Sequence, residues 1–171
     1  MSNPVFEAVR TVLAVREFQD REIPVEILHR IVEAGRLSAS SMNLQPWHFV
    51  VVKNRETIRE LAPLAKTGPY IAAAPAAIVV AVEGESQYAL SDASRAIQSM
   101  ILTAWADGIG SNWVGFANLE DVARRVGLPD THRAIAVLPF GYPTRTLGKG
   151  KKKRKALSEV ASLERFGEPL Q

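Results

Sequence analysis

Ser38-Ala39-Ser40-Ser41-Met42-Asn43-Leu44-Gln45-Pro46-Trp47-His48-Phe49-Val50-Val51-Val52 joins two kinds of chain. Its first half is rich in hydroxyl, amide and small side chains, which bond to nearby backbone groups and favour loops over regular elements. Its last six residues, Trp47 to Val52, are aromatic and β-branched, and predict a buried strand. A polar loop therefore feeds directly into a sheet.

Upstream of this junction, Phe6, Val9 and Leu13 recur at helical spacing from Pro4 to Ala14. Ile27, Leu28, Ile31, Val32 and Leu37 repeat the pattern after Pro24, a residue suited to a first helical turn. Two amphipathic helices are expected, joined across Phe18 to Ile23. Downstream, Arg55 to Leu64 reads as a helix, Pro69 to Pro75 as a connector and Ala76 to Val82 as a second buried strand. After the short link Glu83 to Ala89, Leu90 to Asp107 carries Ala93, Ile97, Met100, Ile101, Ala104 and Trp105. These predict a long helix apolar around most of its girth and ended by Gly108 and Gly110. Ser111 to Phe116 is strand-like, Leu119 to Val126 a short helix and Arg133 to Phe140 a further strand. The mixed order, without internal repeat or linker, predicts one α+β domain over residues 1–171.

Composition narrows the chemistry. With 47% hydrophobic and 23% charged residues the chain is of ordinary globular type, not disordered or fibrous. No stretch reaches the ~18 apolar residues of a membrane span, and Met1-Ser2-Asn3-Pro4 lacks a signal-peptide layout, so a cytoplasmic location is expected. The absence of cysteine excludes disulfides, thiolate metal sites, iron–sulfur clusters and a cysteine nucleophile. Redox chemistry would need an organic cofactor or a non-thiolate metal. The formal charge of +3 is local: Lys149 to Lys155 holds six cations, which leaves 15 basic against 18 acidic residues elsewhere.

Phosphate is recognised by Lys and Arg as charge-assisted donors, with help from hydroxyls and backbone N–H groups. Arg16, Ser40, Ser41 and the basic run are the candidates, in a chain with no Walker loop. A dinucleotide fingerprint is also missing, because Gly108-Ile109-Gly110 continues into Ser111-Asn112-Trp113. His29, His48 and His132 are far apart and lack metal-pattern partners, and no G-x-S-x-G elbow is present. The basic run alone reads first as a solvated charged loop, with an anion-binding segment as the next reading and a nucleic-acid patch as the last. Trp47, Trp105 and Trp113 lie at spacings typical of core residues, with cofactor stacking as the alternative.

Four stretches, in order across nearly the whole chain, resemble the nitroreductase family of flavoproteins. Ala14-Val15-Arg16-Glu17-Phe18 before Ile23-Pro24 is similar to that family's opening R-x-S-x-R-x-F, with Val12, Leu13 and Ala14 departing from its arginines and serine and Arg10 falling outside it. Ser38 to Val51 resembles A-P-S-x-x-N-x-Q-P-W-x-F, with Ala39 for the proline. Asp92 through Gly108-Ile109-Gly110-Ser111-Asn112-Trp113-Val114-Gly115-Phe116 is similar to a long dimer helix entering G-L-G-x-x-W. Pro139-Phe140-Gly141-Tyr142-Pro143 and Lys152-Lys153-Arg154-Lys155-Ala156-Leu157-Ser158-Glu159-Val160 resemble L-G-Y-P and R-K-P-L-x-E-V.

The resemblance implies a three-layer fold, a mixed but mostly antiparallel sheet flanked by helices, in an intertwined homodimer with FMN at the interface. It implies an arm over about 144–171 reaching the partner. Around FMN it places Arg16 at the phosphate, Ser40, Ser41, Asn43 and Gln45 about the ring, the backbone of Val114 and Gly115 beside the reactive edge, and Lys152 and Arg154 closing over the phosphate. No protein residue is implied as catalytic, since the flavin carries the chemistry. NADH or NADPH is the implied co-substrate, exchanging hydride in ping-pong fashion with a nitroaromatic, quinone or similar small acceptor, and nucleic acid and membrane partners are not implied. The short Glu83–Ala89 link implies an open, permissive pocket. A dehalogenase- or dehydrogenase-type flavin reaction and a non-catalytic FMN-binding role remain as alternatives.

Overall fold

Ala76–Glu83 forms strand β2, and all of it but Glu83 is buried. It lies inside a four-stranded sheet of order β1-β2-β4-β3. The computed structural model describes residues 3–84, 87–115, 118–146 and 152–170. Strand β1 (Trp47–Val52) runs antiparallel to β2, with Trp47 opposite Val82 and Val52 opposite Ala77. On the other side β4 (His132–Gly141) is antiparallel to β2, with a register shift that skips Ile135. The short β3 (Gly110–Ser111) continues the sheet along β4. All ladders are antiparallel; a parallel contact occurs as the isolated bridge of Ala14 with Ser111.

Because side chains alternate along a strand, β2 feeds two cores. Ile78 and Val80 pack with Ile31 of helix α2 (Val25–Arg36) and with Ile97 and Met100 of helix α4 (Gln87–Ala106). Ala77 and Val79 pack on the opposite face with Ile58 and Leu61 of helix α3 (Arg55–Leu64), Ile71 of the 3-10 turn Pro69–Ala73, and Val122 of helix α5 (Glu120–Arg125). The expected three layers are these two helical faces and the sheet between them. Helix α1 (Pro4–Thr11) is started by Asn3, whose side chain accepts from the Val5 and Phe6 N–H groups, and it buries no residue within this chain.

Several boundaries differ from those read in the sequence. β1 is an edge strand, with His48 and Val51 exposed and Val52 alone fully buried, so the expected buried strand is half-buried. α1 stops at Thr11, short of Ala14, because Val12 turns extended at φ −55°, ψ 132°. α4 starts at Gln87 instead of Leu90. The strand-like Ser111–Phe116 contracts to Gly110–Ser111 and a bridge from Val114 to Val137, with Phe116 outside the described residues.

The chain after α1 crosses the sheet end over two paired glycines. Gly110 stands opposite Gly141. A Cβ on Gly110 would fall 2.4 Å from Val15 Cγ2, and one on Gly141 2.8 Å from Phe18 Cδ1. Without those clearances Val15 and Phe18 could not lie in their buried positions beside Ala74. Gly110→Ala is therefore expected to lower unfolding free energy by about 1–3 kcal/mol, read as a lower urea midpoint at unchanged slope.

Candidate functional site

Where α1 ends, the chain runs extended toward β3. The Val15 N–H donates to the buried Ser111 carbonyl at 2.9 Å, which sets Val12–Ala14 beside Ser111, Asn112 and Trp113. An open cavity of about 690 Å³ forms there, completed by Arg10, Ile101 and the returning segment with Lys152 and Arg154. Its volume is within the usual range for cofactor pockets, and its walls combine cations, an amide, aliphatic groups and an indole.

Lys152 is half-buried, and its Nζ donates to the Val9 carbonyl at 2.6 Å. That carbonyl belongs to the last turn of α1, where no helical N–H remains to satisfy it and a cation is favoured. Burial, and secondly the neighbouring Arg154 guanidinium, hold the Lys152 ammonium below its ordinary pKa. Arg154 donates from Nη1 to the Lys153 carbonyl at 3.0 Å. Among the described residues neither cation is paired with a carboxylate. Two close like charges facing an open space provide the electrostatics of an anion site.

Arg16 does not line this cavity. It lies in an adjoining hollow of about 210 Å³ with Glu17, Thr144 and Arg145, its guanidinium carbon 5.7 Å from the Tyr70 ring centre. Asn112 Nδ2 donates to the Tyr70 hydroxyl, which ties the two hollows together.

Ser40, Ser41, Asn43 and Gln45 form a compact knot elsewhere. The Ser41 N–H donates to Asp92 Oδ2 at 2.9 Å, the Gln45 N–H to Ser40 Oγ at 2.9 Å, and Gln45 Nε2 reaches Asn43 at 3.3 Å. Met42, Asn43 and Gln45 have left-handed φ of 51°, 56° and 50°, a conformation costly for residues with a Cβ. Asp92 is 1% exposed, and its other oxygen accepts from Arg95. None of the four knot residues lines the cavity of its own chain.

Val114 spends both backbone groups on the sheet, donating to Val137 at 3.1 Å and accepting from it at 2.8 Å. Gly115 lines a separate hollow of about 430 Å³ with His132 and Arg133. Here a Cβ would strike Trp113 Nε1 and the Ile135 carbonyl. His48 and His132, distant in sequence, meet edge-to-face at 6.1 Å. Among the described residues no group of three His, Asp or Glu side chains could hold a metal ion, and no helix is long and apolar enough to cross a membrane.

Sequence reasoning missed Arg10, Asn112 and Asp92. Arg10 could have been noticed as the basic residue in the last turn of α1; Asp92 and Asn112 lie in the third stretch that resembles the family, but their roles depend on partners remote in sequence.

The sequence pattern of the nitroreductase family matches this chain over residues 10–82 and 65–142. A provisionally named NADH dehydrogenase/NAD(P)H nitroreductase of Methanothermobacter thermautotrophicus is 33% identical over 152 residues, covering 84% of this chain and 80% of that protein. A similarly named protein of Parabacteroides distasonis superposes with a TM-score of 0.88 at 25% identity, covering 96% of this chain and all of that one. An FMN-dependent nitroreductase of Clostridium difficile shares the fold with a TM-score of 0.84 at 23% identity, covering 94% of this chain and 99% of that one. By extended sequence match and by fold, the chain belongs to the nitroreductase family.

Proposed function

We propose that this chain is an FMN-dependent NAD(P)H oxidoreductase, with the phosphate end of FMN in the cavity between α1 and the Lys152–Arg154 segment. The observation that carries the reading is the pair of cations, Lys152 and Arg154, with no carboxylate partner among the described residues, set beside apolar walls in a space of about 690 Å³. That donor set suits a phosphate, and Val12, Leu13, Ile101 and Trp113 suit the less polar remainder of such a ligand. When bound, FMN supplies two-electron chemistry, accepting hydride from NADH or NADPH and passing it to a small acceptor such as a nitroaromatic or quinone.

The chain's own residues then position and tune. Lys152 and Arg154 neutralise phosphate charge, and Lys152 fastens the returning segment to α1 through the Val9 carbonyl. Asn112 joins the cavity wall to Tyr70, over which Arg16 stands. The Ser40–Gln45 knot, held by Asp92, presents strained backbone that would serve a neighbouring subunit's site. A homodimer is supported by α1, whose Val5, Phe6 and Val9 are exposed, and by a groove of about 350 Å³ between α1 and α4. Leu157, Val160, Leu163 and Phe166 of the tail are exposed in the single chain and suit an arm packed on the partner.

The first test is the visible spectrum of purified protein reconstituted with FMN. Flavin bands that bleach with NADH or NADPH without oxygen are expected; a protein that retains no FMN refutes the reading. Acceptor turnover should extend from small quinones to bulky nitroaromatics, in keeping with the short link before α4.

Lys152 sets a pH dependence. Because its folded pKa is depressed, its charge is a stability penalty at low pH that is relieved as pH rises through the folded value, whereas an anion needs the protonated form. FMN affinity is thus expected to fall at alkaline pH earlier than an ordinary lysine would dictate, and Lys152→Gln should remove that step from a titration of affinity against pH.

Phe6→Asp places a charge on the exposed apolar side of α1. Light scattering should then report monomer in place of dimer, with loss of retained FMN.

A further inference from the structure

Val12, Leu13 and Ala14 line the cavity with aliphatic side chains, so the stretch that resembles the family's opening motif supplies no side-chain donor there. Arg10, two residues before Val12 in the last turn of α1, lines the same cavity. It is also next in sequence to Val9, whose carbonyl receives Lys152, so the fold gathers Arg10, Lys152 and Arg154 around one space. The end of a helix bearing free carbonyls repels anions, and a phosphate seated there needs cations to overcome that field.

We propose that Arg10 is the third cation of the phosphate site, replacing the side-chain donors absent at Val12 and Ala14, and that Glu7 competes for it and thereby sets phosphate affinity. This rests on the FMN reading above. Arg10 pairs with Glu7 at 2.6 Å, but both side chains are substantially exposed, at 43% and 40%. An exposed pair three residues apart on a helix is weak, because water screens it and both side chains lose freedom. A phosphate in the cavity offers the same guanidinium a doubly charged, fork-shaped acceptor shared with two further cations. Rotation of the Arg10 side chain from Glu7 toward the cavity exchanges the weaker partner for the stronger without moving α1. Arg16 stands over Tyr70 in the adjoining hollow and is not interchangeable with it.

The test is equilibrium binding of FMN and of riboflavin, which has the same ring and no phosphate, followed by flavin fluorescence at fixed salt. Arg10→Ala is expected to weaken FMN by about tenfold, as for loss of a charged hydrogen bond, and to leave riboflavin unchanged. Arg10→Lys should recover part of that loss. Glu7→Gln should tighten FMN about twofold, with riboflavin again unchanged. Retained riboflavin binding shows that each variant is folded. Unchanged FMN affinity in Arg10→Ala, or equal losses for both flavins, overturns the Arg10 assignment and leaves the FMN reading standing. A wild-type protein that binds neither flavin overturns both.

Discussion

One hydrogen bond, from the Val15 N–H to the Ser111 carbonyl, fastens the segment after α1 beside the cavity that Lys152 and Arg154 line. It is possible because Gly110 has no Cβ: with one, Val15 would be pushed off the sheet end. From that bond the geometry spreads both ways. The last turn of α1 is brought to Asn112 and Trp113, and the carbonyl of Val9 becomes the landing point for Lys152. The sheet supplies rigidity through its buried middle strand, while the recognition groups come from the segments tied to its glycine-lined corner.

The polar knot of Ser40–Gln45 illustrates a different use of the same sheet. Its left-handed residues are tolerated because Asp92, buried on α4, holds the Ser41 N–H while Ser40 Oγ closes onto Gln45. The knot does not face its own chain's cavity, so the two motifs that look continuous in a linear reading serve different places in the fold. The proposed two-fold assembly gives each motif a role, with one chain supplying the cations and the other the knot.

Much of this architecture was legible in residue order. Trp47–Val52, Ala76–Val82 and Arg133–Phe140 announced three strands because β-branched runs bounded by polar residues have few other uses. The family resemblance singled out Lys152 and Arg154, which the structure places on the wall of one cavity, and Arg16, which it places in the hollow beside it. Three things were not legible. An apolar run does not say whether its strand is central or at an edge, so β1 was expected to be buried. A helix end depends on where the next segment is captured, so α1 ends early at Thr11, and the residues after the extended Val12 belong to the Ser111 contact. Arg10 follows from that second point: its place in the cavity depends on a bond made five residues later to a residue on the far side of α4, which no local pattern carries.

The hydrogen bond between Lys152 and Val9 joins positions 143 residues apart. On a ribosome these two would emerge roughly seven to thirty seconds apart at ordinary translation rates. During that interval α1, which buries nothing of its own in this chain, has no returning segment to hold its end, whereas β1, β2 and α4 can already pair and collapse. On the proposed reading, ligand capture is a late event in biosynthesis that waits for chains translated through Arg154. A product truncated between Gly141 and Lys152 would carry every strand of the sheet yet lack both cations of the proposed site.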